Sequence, residues 1–61
     1  MTGEELKKQR EDAGLTQEQV ADQLGINRVT VARWESPQTK LSKGKVLRYL
    51  DAIAALTERA A

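Results

Sequence analysis

With 61 residues, 39% of them hydrophobic, and a net charge of +1, the chain has room for a single small domain over residues 1–61. The absence of cysteine and histidine excludes disulfide frameworks, the common zinc sites and the usual general base of a nucleophilic triad. No apolar run approaches the roughly 20 residues of a membrane span, and Met1 to Lys8 lacks the basic-then-apolar order of a secretion signal, so a soluble cytoplasmic protein is expected.

Thr2 followed by Glu5 has the spacing of a capping box and predicts a first helix from about Gly3 to Ala13, stopped by Gly14 in the left-handed conformation. Its evident core contributors are Leu6, Ala13 and the following Leu15, so docking rather than intrinsic propensity must stabilise it. Thr16 and Gln19 form a second box, opening a helix from Gln17 to about Leu24 in which Val20, Ala21 and Leu24 share one face. Asn27 suits the N-cap of a third helix, Arg28 to about Ser36, with Pro37 as its stop. On that helix Arg28, Val29, Ala32 and Arg33 spread over an arc of about 140°. Val31 and Trp34 lie on the other side, where they join Val20, Leu24 and Ile26, so Trp34 reads as core rather than as a base-stacking platform. After a loop from Pro37 to Leu41, Ser42 caps a fourth helix over about residues 43–57 or beyond, since no glycine or proline interrupts it. Its stripe is Val46, Leu47, Leu50, Ile53, Ala54 and Leu56, and Glu58 to Ala61 are expected to fray.

The second and third helices together form a recognisable unit. Counting from Gln17, small Ala21 falls fifth, Gly25 ninth and β-branched Val31 fifteenth. Ala21 lets the helices cross closely, Gly25 redirects the chain through a positive φ, and Val31 packs inward. This is a helix-turn-helix over residues 17–36, within an all-α bundle of about four helices, and it points to double-stranded DNA. Charge distribution agrees. Residues 1–27 carry Lys7, Lys8 and Arg10 against Glu4, Glu5, Glu11, Asp12, Glu18 and Asp22. Residues 28–48 carry Arg28, Arg33, Lys40, Lys43, Lys45 and Arg48 against Glu35 alone. Basic charge thus follows the motif's second helix, where phosphates would lie.

Through Leu15-Thr16-Gln17, the Ala21/Gly25/Val31 spacing and Arg33-Trp34-Glu35, the chain resembles the phage repressor and Cro type of helix-turn-helix, the xenobiotic-response-element-like (XRE) family, over residues 3–36. The resemblance implies the lambda repressor-like fold and binding of operator DNA as a two-fold homodimer, with the third helix in the major groove. It places base reading on Asn27, Arg28, Val29 and Arg33, the arginines suiting guanine and Val29 a thymine methyl. Asn27 also fits a purely capping role. Phosphate contacts fall on Gln17, Thr30, Lys40 and Lys43, with Thr30 equally suited to bond its own helix. Arg10 and Glu35 fill the positions of a structural ion pair. Beyond residue 36, Pro37 stands where the family has glycine, and the usual fifth helix is missing. A replacement dimer contact would use Tyr49, Leu56 or Leu41, unless these cover the chain's own motif.

The function so implied is a transcriptional regulator, a repressor acting by occupation of an inverted-repeat operator. An antitoxin-like or bridging protein-interaction module is the alternative. No enzyme activity is expected, since the carboxylates sit on solvated helix exteriors without paired acid and base groups. Cofactor, metal, small-molecule ligand and membrane partner are likewise not expected.

Overall fold

Capping chemistry sets most helix boundaries in the computed structural model, which describes residues 1–60 as four helices: α1 (Gly3–Asp12), α2 (Gln17–Leu24), α3 (Arg28–Trp34) and α4 (Lys43–Ala60). The Thr2 hydroxyl accepts the Glu5 N–H at 3.2 Å, while the Glu5 carboxylate takes the Thr2 hydroxyl proton at 3.4 Å, so α1 is capped without the reciprocal backbone bond of a capping box. At α2 the box is complete: Gln19 N–H donates to Thr16 Oγ1 at 3.1 Å and Thr16 N–H to Gln19 Oε1 at 2.8 Å.

Both predicted glycine stops are present, each at φ +73°. The Leu15 N–H returns to Arg10 O at 3.1 Å and the Ile26 N–H to Ala21 O at 3.0 Å, which are the six-to-one bonds of the Schellman motif. A side chain at either glycine would be strained by the left-handed backbone.

Two boundaries differ from the sequence reading by more than one residue. Helix α3 ends at Trp34, two residues before Ser36. Pro37 lacks the N–H that would have reached the Arg33 carbonyl and disfavours helical backbone at Ser36. That carbonyl instead accepts from Ser36 N–H at 3.2 Å and from the Thr39 hydroxyl at 2.9 Å. Pro37 then occupies the second position of a turn closed by Thr39 N–H to Ser36 O at 3.1 Å. Helix α4 extends to Ala60, so Glu58 and Arg59, expected to fray, are helical. Ser42 caps its start, accepting Lys45 N–H on the hydroxyl at 3.3 Å. Ala61 lies outside the described residues.

Helix α2 packs against both α3 and α4, and α1 against α4. The core is Leu6, Val20, Ala21, Val31, Trp34, Tyr49 and Ala52, flanked by half-buried Leu15, Leu24, Ile26, Leu41, Val46, Leu50, Ile53 and Leu56. Tyr49 is fully buried, and Leu41 and Leu56 pack on the core, so these three cover their own chain's motif and Tyr49 cannot face a second copy. Gly3 is buried where α1 meets the end of α3; a Cβ there would lie 2.2 Å from Trp34 O and 2.6 Å from Ser36 O. The two backbones touch.

Candidate nucleic-acid interface

The position of α3 is fixed by one buried carboxylate. Glu35, 4% exposed, accepts on Oε2 from Arg10 Nε at 2.7 Å and from the Tyr49 hydroxyl, and on Oε1 from Arg10 Nη2 at 3.1 Å and Gln17 Nε2 at 3.0 Å. Arg10 Nη1 donates to Leu15 O at 2.8 Å. One residue just after α3 thus gathers donors from α1, α2 and α4. Burial by itself would raise the Glu35 pKa, but the bonds from Arg10, Tyr49 and Gln17 outweigh it and hold the carboxyl below its usual range. The bond to Glu35 raises the Arg10 pKa in turn, and burial followed by that same carboxylate pushes the Tyr49 phenol up. Among the described residues no buried side-chain polar atom lacks a partner. The junction is a closed network of the kind that specifies a unique core.

Facing away from this junction, α3 presents Arg28, Val29, Ala32 and Arg33 to solvent, with Val31 and Trp34 on the buried side. Val29 is 55% exposed, an apolar group between two cations. Among the described residues the ion pair is Arg10–Glu35, so both outward guanidiniums keep their donors available. Short Ala32 leaves the gap between them open. Arg28 also borders a shallow groove with Thr16, Gln17 and Glu18, which brings the start of α2 beside the start of α3.

The sequence agrees with this geometry, two helices joined at a glycine turn: residues 2–61 match the model of the helix-turn-helix domain family. The chain belongs to that family. Its members are DNA-binding domains of the XRE and Cro type. No curated protein and no solved structure matched the chain. Among the described residues no helix is long and apolar enough to cross a membrane.

The remaining predicted site residues of this helix-turn-helix fall in three settings. Asn27 caps α3: its Oδ1 accepts both Thr30 N–H and Thr30 Oγ1–H at 2.9 Å, leaving its amide hydrogens as the free part of the side chain. Gln17 is tied to Glu35 as described. Lys40 and Lys43 are exposed, beyond the turn at Pro37 and at the head of α4. Sequence reasoning missed the Gln17 and Tyr49 bonds to Glu35. It also missed Lys45, whose ammonium stands over the Trp34 ring, 5.7 Å from its centroid.

Proposed function

We propose that this chain is a sequence-specific transcription regulator that represses by occupying an inverted-repeat operator as a homodimer, with α3 of each copy in the major groove. The observation that carries this reading is the exposed arc of Arg28, Val29, Ala32 and Arg33 on a helix whose other side is buried and whose end is fixed at Glu35. A groove-reading helix must hold a fixed stance, because base readout depends on hydrogen-bond geometry over a few tenths of an ångström.

In this reading Arg28 and Arg33 donate in pairs to guanine O6 and N7, and Val29 meets a thymine methyl. Asn27, with Oδ1 engaged in capping, acts toward bases as a donor and suits guanine or the thymine O4. Gln17 meets a phosphate through its main-chain N–H, one of the unsatisfied donors in the first turn of α2, because its side-chain amide is drawn toward Glu35. Thr30, Lys40 and Lys43 complete the phosphate contacts. The first turn of α4 supports this: it carries Lys43 and Lys45 and no acid, an arrangement the helix dipole disfavours until an anion arrives.

Selection of bound duplexes from a random pool, run with wild type, Arg28→Ala and Arg33→Ala, tests the reading. The expected result is an enriched inverted repeat with centres about 34 Å apart, and relaxed guanine preference at one position per half-site in each variant. Absence of enrichment, with weak and strongly salt-dependent binding alone, would overturn it.

A further inference from the structure

We propose that Thr39 is a positioning residue of the DNA interface: its hydroxyl latches the turn after α3 onto the Arg33 carbonyl, so that Arg33 and Lys40 meet DNA as parts of one rigid body. The latch is built from residues 33–39. Pro37 brings no N–H to the end of α3, which deprives the Arg33 carbonyl of its intrahelical partner. The Thr39 hydroxyl supplies a donor from the far side of the turn, at 2.9 Å. Thr39 is held a second time by its own N–H, which returns to Ser36 O at 3.1 Å. Inside the same turn Ser36 Oγ accepts the Gln38 N–H at 3.4 Å, and the ring of Pro37 fixes φ at the corner. Thr39 is half-buried, while Pro37, Gln38 and Lys40 around it are exposed.

The two ends of the latch matter because of what they carry. In the proposed function Arg33 reads a base and Lys40 meets a phosphate, and Thr39 ties the main chain of the first to the neighbour of the second. Base readout tolerates only small displacements of a hydrogen-bonding group, and phosphate contacts set the register of the helix on the duplex. A loop that became ordered only on binding would subtract its lost freedom from the affinity. A loop latched beforehand has little left to lose.

This inference rests on DNA binding, and its test separates the two. Thr39→Val keeps the branched shape and removes the donor, whereas Thr39→Ser keeps the donor. Without DNA, order parameters from nitrogen relaxation of the Gln38, Thr39 and Lys40 amides are expected at about 0.85 in wild type and Thr39→Ser, falling toward about 0.6 in Thr39→Val with the helices unchanged. Affinity is then measured over a salt series on the duplex enriched by selection and on a random duplex of equal length. Lys40→Ala should make the slope of log affinity against log salt shallower by about 0.9, the signature of one lost phosphate contact. Thr39→Val should shift the slope in the same direction with Lys40 still present, and weaken binding about three- to tenfold. Adding Lys40→Ala to Thr39→Val should change little more, a coupling that a mere loss of stability would not produce. Additive losses in the double variant, Thr39→Ser binding like Thr39→Val, or unchanged order parameters in Thr39→Val would each overturn the inference. Coupling that persists on both duplexes without sequence preference loses only the proposed function. Additive losses on a selected inverted repeat lose only this inference, and no binding to either duplex overturns both.

Discussion

Arginine appears in two regions of this molecule with opposite consequences. Arg10 is buried, and Nε, Nη1 and Nη2 are all bonded, to Glu35 and to the Leu15 carbonyl. Arg28 and Arg33 stand exposed on α3 without such commitments. The first holds the scaffold and the others are free to meet a ligand, although the side chains are chemically identical. Residues 33, 34 and 35 make the same contrast within three positions: Arg33 points to solvent, Trp34 enters the core and Glu35 closes the junction. On the proposed function, stability and recognition fall to different faces of one short helix, and substitutions should separate them.

The largest effect is expected at the junction. Glu35→Ala strands the buried Arg10 guanidinium and should cost about 3–5 kcal/mol, enough in a domain of this size to leave much of the chain unfolded in a urea titration followed by circular dichroism. A wild-type midpoint in that variant would break the contrast between the two regions. Tyr49→Phe deletes one donor to the same carboxylate and should cost about 1.5–3 kcal/mol in the same titration. Gly3→Ala should cost about 1–3 kcal/mol because the new methyl collides with carbonyl oxygens that cannot rotate away.

The acid limb of the stability profile sharpens the same point. The folded pKa of Glu35 lies below its unfolded value, so its contribution is complete above about pH 4.3, the unfolded carboxylate value, and is lost as pH falls through the folded pKa. Glu35→Gln should flatten that limb of the unfolding midpoint plotted against pH; an unaltered slope would show that the junction does not govern it. Smallest of all should be the effect on stability of Arg28→Ala or Arg33→Ala, within about 0.5 kcal/mol. Each is nevertheless expected to lower affinity for a selected site by about 1–3 kcal/mol, read by fluorescence anisotropy at fixed salt.

How much of this was legible in the sequence depended on the range of the interaction. Thr2, Thr16, Asn27, Ser42, Gly14 and Gly25 act on backbone groups a few residues away, and the helices begin where they indicate. The inward and outward sides of α3 follow from helical spacing alone. Arg10 and Glu35 were paired through family resemblance. The Gln17 and Tyr49 bonds were not visible, because they join residues 18 and 14 positions from Glu35 whose meeting depends on how α2 and α4 dock. The close approach at Gly3 was not visible either, since nothing in its neighbours signals a carbonyl arriving from the end of α3. The end of α3 was misplaced because Pro37 acts through the bond it cannot make to Arg33 as well as at its own position. The absence of a stop residue allowed α4 to run beyond Thr57, and only the fraying expected at Glu58 and Arg59 was wrong.

The carboxylate of Glu35 has a further consequence for the order of events during synthesis. Its partners emerge from the ribosome in sequence, Arg10 and Gln17 before it and Tyr49 after it, so the junction is incomplete when the helix-turn-helix has just been made. A nascent chain holding residues 16–36 already contains the whole motif without the phenol that closes it. Helix α3 therefore acquires its final stance only when α4 has been delivered and docked.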